Sequence, residues 1–239
     1  MRAAHPLLEI QERVAQARRA GHTPVLVFDL DHTLFDNGPR TWAILEAYAA
    51  HAGRAGLAQR LGSVPHLGLP YRLDAVLALA GETNPEVLAE AFAYWRERFF
   101  TDAWIHHDVP LPGAAAYCQA LVSMGVTVVY LSGRDSPNML VGTADSLRTH
   151  GFPIGLAHTV LVLKPAFEIP DLEFKANVAD FMESLGTVIA LFDNEPANCN
   201  LFLERFPAAL SVLLETTHAP DPPPLHPEVR RLTDFTLPE

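Results

Sequence analysis

The sequence predicts an α/β protein built on a doubly wound, mainly parallel sheet, with a small α-helical piece inserted near its start. Three observations carry this. Three short apolar runs, Val25-Leu26-Val27-Phe28, Val126-Thr127-Val128-Val129-Tyr130-Leu131 and Val188-Ile189-Ala190-Leu191-Phe192, each stop abruptly at polar residues, and a strand apolar on both faces is what the centre of a parallel sheet requires. The second and third runs follow helical segments closed by glycine, at Met124-Gly125 and Leu185-Gly186, as helix C-caps before a strand are. Roughly seventy residues separate the first polar tip from the turn Pro110-Leu111-Pro112-Gly113, too many for an ordinary loop.

Taken in order, residues 7–19 place Leu7, Leu8, Ile10, Val14, Ala15 and Ala17 among charged residues, the pattern of an amphipathic lead-in helix. Its charges also interrupt the apolar core that a signal peptide would need. Gly21-His22-Thr23-Pro24 breaks that pattern, and the first strand follows. The long insertion reads as helices over 41–51, 73–80 and 85–100. After Arg134 come a helix over 136–150, a strand over 159–163, one helix over 173–184, another after Glu195, and a strand over 210–214. The proline-rich 218–227 reads as extended, and 229–237 as an added edge strand. The chain thus divides into a Rossmann-like core, 1–36 with 107–239, and a helical cap, 37–106. In such a sheet ligands bind outside the carboxyl ends of the strands, so the three polar tips should meet in one crevice.

Composition narrows the function classes. At 239 residues with 49% hydrophobic and 19% charged, the chain can fill one substantial core with a satellite. Lys and Arg number 17 against 28 Asp and Glu, a net charge of -11, which repels a nucleic-acid polymer. The same charge does not oppose a small phosphorylated metabolite, because a metal and a few local cations dominate a pocket. No segment is long and apolar enough to span a membrane. The two cysteines, Cys118 and Cys199, lie in separate helix-like segments, which argues against a disulfide framework and points to a reducing, cytoplasmic setting.

The chemistry concentrates at the strand tips. Asp29-Leu30-Asp31-His32-Thr33 directly follows the first strand, Ser132-Gly133-Arg134 ends the second, and Asp193-Asn194-Glu195 ends the third. Two carboxylates one residue apart at a strand end can divide their labour, one attacking and the other moving protons. In that order, with a helix-borne lysine before the last strand, these elements resemble the haloacid dehalogenase-like (HAD) phosphatases over about residues 24–200.

The resemblance implies a hydrolase of phosphoric monoesters in which Asp29 attacks phosphorus and forms an aspartyl phosphate. Asp31 would protonate the leaving oxygen and then activate water. Thr33 would brace the loop, and Ser132 with Gly133 and Arg134 would contact the phosphoryl group. Mg2+ would be held by the Asp29 and Asp193 carboxylates and the Asp31 carbonyl, an all-oxygen set suited to that ion. Lys175, near the start of the helix leading into the third tip, would supply the remaining cation, with Lys164 as its substitute. The sequence departs from the common pattern at His32, where glycine is frequent, and at Asn194, after Asp193.

Plainer readings exist for each. Asp29 and Asp31 alone could cap a helix, but Ser132 and Asp193 at matching tips favour catalysis. Arg134 could touch substrate or pair with Asp135, and Glu195 reads as structural. His106, His107 and Asp108 read as a linker, since adjacent histidines point apart. Tyr94, Trp95 and Trp104 read as core of the cap, and Arg72, Arg96 and Arg98 as solvated. A phosphomutase or phosphotransferase would keep the same carboxylates. A carbon–halogen hydrolase would not need Asp31. A non-catalytic phospho-ligand binding module is the contrasting class, though it would be expected to lack one of Asp29, Asp31, Lys175 or Asp193, and all four are present.

Overall fold

The computed structural model describes residues 5–238; residues 1–4 and 239, which the sequence reading assigns to the core, lie outside the described residues. The strands are β1 (Pro24–Phe28), β2 (Phe35–Asp36), β3 (Val109–Pro110), β4 (Thr127–Asp135), β5 (Thr159–Lys164), β6 (Thr187–Asp193), β7 (Leu210–Leu214) and β8 (Arg230–Leu232). Six form one parallel sheet in the order β5-β4-β1-β6-β7-β8. The chain builds outward from β1 to one side through β4 and β5, then to the other through β6, β7 and β8. The tips of β4, β1 and β6 are therefore adjacent, at the switch point where a doubly wound sheet opens a crevice.

Why β1 is apolar throughout follows from its two faces. Val25 and Val27 join a cluster with Phe174, Met182 and Phe202, while Leu26 and Phe28 join Leu7, Ile10, Tyr117 and Phe235 on the other side. Phe28 stacks on Phe192 of β6 with centroids 4.6 Å apart. In β6 the register skips Ile189, so that Val25 faces Val188 and Leu26 faces Ala190; this bulge turns Ile189 and Ala190 to the same face.

The helices are α1 (Pro6–Arg19), α2 (Gly38–His51), α3 (Ala55–Leu61), α4 (Leu73–Leu79), α5 (Pro85–Phe99), α6 (Ala114–Ser123), α7 (Ser136–Thr149), α8 (Asp171–Asn177), α9 (Ala179–Leu185) and α10 (Pro196–Arg205). Helices α1, α6 and α7 contribute to one face of the sheet and α8, α9 and α10 to the other. None is long and apolar enough to cross a membrane among the described residues.

Several expectations change. The single helix over 173–184 is two, α8 and α9, meeting at Val178. On an unbroken helix Phe174 and Ala179 would stand about 140° apart; the break lets both enter the same cluster beneath the sheet. Helix α3 was not expected, because Gly56 and Gly62 mask a short segment whose Leu57 and Leu61 are buried one turn apart.

Helices α2 to α5 share an apolar cluster of their own, including Leu45, Tyr48, Leu57, Leu61, Val76, Leu77, Val87 and Ala91. The chain enters this group and returns through the antiparallel ribbon of β2 and β3, where Phe35 pairs with Pro110 and Asp36 with Val109. Helix α2 starts earlier than the pattern suggested because Pro39 occupies its first turn. Helix α5 starts at Pro85, after Asn84 caps the Glu86 amide.

Candidate active site

The end of β1 turns sharply. The amides of Thr33, Leu34 and Phe35 all donate to the Leu30 carbonyl, at 3.2, 2.9 and 2.9 Å. The turn forces His32 to φ +57°, a left-handed conformation that glycine adopts without cost and a residue with a Cβ does not. Thr33 Oγ1 donates to Asn194 Oδ1 at 3.4 Å, tying this turn to the tip of β6.

Asp29, just past the end of β1, and Asp193, the last residue of the adjacent β6, lie side by side, and Lys175 sits between them. Its Nζ donates to Asp29 Oδ1 at 2.8 Å and to Asp193 Oδ2 at 2.6 Å. Asn198 Nδ2 donates to both Asp193 oxygens at 3.0 and 3.1 Å, and the Glu195 amide donates to Asp193 Oδ1 at 2.9 Å. Burial pushes the Asp29 carboxyl well above the usual carboxylate range; Lys175 opposes this and Asp193 adds to it. Burial works against the Lys175 ammonium, but Asp193 and then Asp29 outweigh it and hold it above its ordinary range. Lys175 falls in the last turn of α8 and not near a helix start, so the helix dipole favours its charge. Lys164 is engaged elsewhere, with Asp171 Oδ1 at 2.7 Å and the Ile169 carbonyl at 2.9 Å.

Asp31 belongs to a second charge cluster. Arg134 grips it with a two-bond fork, Nε to Oδ2 at 2.9 Å and Nη2 to Oδ1 at 2.7 Å. Arg134 Nη2 also donates to Asp108 Oδ2 at 2.7 Å. Arg40, fully buried, donates from Nε to Asp108 Oδ1 at 2.7 Å, from Nη2 to Asp108 Oδ2, and from Nη2 to Asp31 Oδ1 at 3.1 Å. Its guanidinium lies 4.4 Å from the Phe99 ring centroid. Asn37 Nδ2 adds a bond to Asp31 Oδ1 at 3.1 Å. Burial would raise the Asp31 carboxyl, but Arg134 and then Arg40 prevail and hold it well below the usual range.

Sequence reasoning missed Arg40, Asn37, Asp108 and Asn198. Asp108 was taken with His106 and His107 as linker; it is instead the buried counter-ion of two arginines. Arg134 pairs with Asp31 and Asp108 and not with Asp135, whose Oδ2 caps α7 through the Asn138 amide at 3.2 Å. Among the described residues no three or more His, Cys, Asp or Glu side chains are grouped to hold a metal, His106 and His107 included.

Asp29, Asp31, Gly133, Arg134, Lys175, Asn194 and Glu195 line a cavity of about 850 Å³ between the strand tips and the inserted helices. Thr33, Ser132 and Asp193 are fully buried behind that wall. Ser132 Oγ accepts the Arg134 amide at 3.3 Å. Gly133 is there for close approach: a Cβ would stand 2.2 Å from Asp171 Oδ2. Glu195 Oε1 accepts the Ala219 amide at 2.9 Å, and burial raises its carboxyl.

A divalent cation fits this chemistry. The Asp29 and Asp193 carboxylates already share one cationic group, the Lys175 ammonium, and both offer oxygen ligands. Mg2+ characteristically takes one or two carboxylates and completes its shell with water and phosphate oxygens.

No family model and no curated protein matches the chain. Solved structures do. A Clostridium difficile protein provisionally described as a phosphatase aligns with 12% identity and a TM-score of 0.53, over 82% of this chain and 87% of that one. A HAD-superfamily hydrolase of subfamily IA, variant 1, from Geobacter sulfurreducens aligns with 14% identity and a TM-score of 0.53, over 89% and 93%. The chain therefore has the fold of the haloacid dehalogenase-like hydrolases.

Proposed function

We propose that this protein is a magnesium-dependent phosphohydrolase that cleaves a small phosphomonoester through an aspartyl phosphate on Asp29. The observation that carries this is the placing of Asp29 on the cavity wall beside Lys175 and Asp193, with Asp31 facing the same cavity. An Asp29 oxygen bonds to phosphorus as the ester oxygen leaves; water then attacks phosphorus, freeing Asp29 and phosphate. Lys175 offsets charge among Asp29, Asp193 and the phosphoryl oxygens. A magnesium ion held by Asp29, Asp193 and the Asp31 carbonyl would supply further positive charge to those oxygens.

Asp31, held as a carboxylate by its arginines, can take a proton from the attacking water once the Arg134 fork loosens and restores its basicity. To donate a proton to the leaving oxygen it must first acquire one, which requires the Arg134 fork to loosen. Ser132 braces the Arg134 backbone, and Thr33 braces the turn. We read helices α2 to α5, within residues 37–106, as the cap over the core formed by 1–36 and 107–239; their separate apolar cluster supports this. The buried free thiols of Cys118 and Cys199 fit a cytoplasmic setting.

Hydrolysis of p-nitrophenyl phosphate tests the reading. Turnover should require Mg2+, cease with EDTA, and be lost in Asp29→Asn; turnover that survives in the folded Asp29→Asn protein would overturn it.

A further inference from the structure

We propose that the ester cleaved here carries a bulky apolar or aromatic alcohol, and not a polyol such as a sugar. This rests on the phosphohydrolase reading and names the substrate class of that site. The cavity runs without interruption from Asp29 and Lys175 to the inserted helices, and its 850 Å³ far exceed what a phosphoryl group fills.

The far wall comes from α5 and from residues 69–76. Val87 and Ala91 of that helix face the insertion's own core, and Leu88 also packs against it, while Glu86, Glu90, Arg96 and Glu97 form its polar side. Beside that core face, turned roughly 90° from it, Leu88, Phe92, Trp95 and Phe99 form a single apolar stripe that lines the cavity. The rings continue as a ladder: Phe92 to Trp95 at 6.0 Å, Trp95 to Phe99 at 4.5 Å, Phe99 to Phe100 at 5.0 Å, and Phe100 to Phe167 at 5.0 Å. Phe92 remains 49% exposed. Such a surface gains free energy when an apolar group covers it.

A sugar would need several polar partners along that wall, which offers the Tyr71 hydroxyl and two pairs already engaged with each other. Trp95 Nε1 donates to Thr41 Oγ1 at 3.2 Å, and Arg72 pairs with Asp74 at 3.0 Å. The Arg72–Asp74 pair is exposed, but breaking the part-buried Trp95–Thr41 bond leaves its groups unpaired, a cost that a polyol competing there incurs and a hydrocarbon does not.

The test measures kcat/KM for n-alkyl phosphates from ethyl to octyl and for 1-naphthyl phosphate, against glycerol 3-phosphate and glucose 6-phosphate. The series should climb about fourfold per methylene, the ratio equivalent to about 0.8 kcal/mol, and the naphthyl ester should exceed both polyol phosphates by at least about tenfold. Phe92→Asp should lower the naphthyl-to-ethyl ratio. Asp29-dependent hydrolysis that is flat with chain length, or fastest for a polyol phosphate, overturns this inference while leaving the phosphohydrolase reading intact. If no ester is hydrolysed, that reading fails, and calorimetry on Asp29→Asn decides the pocket's preference. Tighter binding of 1-naphthyl phosphate than of glucose 6-phosphate upholds it; equal or weaker binding overturns it.

Discussion

Replacing Asp108 by asparagine keeps the side-chain shape and removes one of the two negative charges that neutralise Arg40 and Arg134. Both arginines and Asp108 are buried, and the Asp108 side chain has no solvent exposure. Asparagine can still accept from Arg40 Nε at Oδ1. Its amide nitrogen, however, would face Nη2 of both Arg40 and Arg134, where Asp108 Oδ2 now accepts. Two guanidiniums would then share Asp31 alone, whose side chain is 29% exposed. Removing one partner from a buried pair costs about 3–5 kcal/mol, because the remaining charge stays desolvated; the retained Oδ1 bond places this substitution near the lower end. With a urea m-value of about 3 kcal/mol/M, the midpoint should fall by roughly 1 M. Arg40→Met removes one of the stranded cations, so the double variant Arg40→Met/Asp108→Asn should lose less than the sum of the two single losses, with a coupling of at least about 1 kcal/mol. A midpoint shift below roughly 0.3 M, or strictly additive losses, would refute the claim that Asp108 neutralises a buried arginine pair.

Three further outcomes follow from the same geometry. His32→Gly should stabilise the protein by roughly 0.5–1 kcal/mol, since relief of the left-handed strain exceeds the added freedom of the unfolded chain; a lower urea midpoint would contradict this. Magnesium at a hundred times its dissociation constant should add about 2.7 kcal/mol, raising Tm by roughly 5–10 °C, and Asp193→Asn should erase the shift; an unchanged wild-type Tm would remove the metal from the account. Asp31 has a depressed folded-state pKa, so its contribution is full above the unfolded value of about 3.9 and is lost as pH falls through the folded one. In EDTA buffer, Asp31→Asn should therefore show a shallower decline in urea midpoint below about pH 4 than wild type; parallel declines would contradict the arginine clamp.

How much of this was legible in the sequence depended on range. The strands were readable because a centrally placed parallel strand must be apolar on both faces, as Val25 to Phe28 and Val188 to Phe192 are. Asp29, Ser132 and Asp193 could be found because each marks where such a run stops. The charge cluster around Asp31 could not, because Arg40 and Asp108 stand 68 residues apart in sequence and an ion pair at that distance leaves no local period. The reading of 173–184 as one helix misplaced Lys175 within its turn, since periodicity does not register a one-residue break such as Val178. Trp95 was read as core on its size alone; it stands with Phe92 and Phe99 on the cavity wall, next to the face through which Val87 and Ala91 meet the insertion's core, a division that periodicity does not distinguish.

Phosphoryl transfer to Asp29 is the covalent step, and rapid acid quench during turnover of p-nitrophenyl phosphate, followed by intact-mass and peptide mass spectrometry, detects it. An added phosphoryl group, labile to hydroxylamine, should appear on the peptide containing Asp29 and be absent from Asp29→Asn. Steady turnover with no phosphoryl adduct at any quench time, or with the adduct on another residue, would contradict that step.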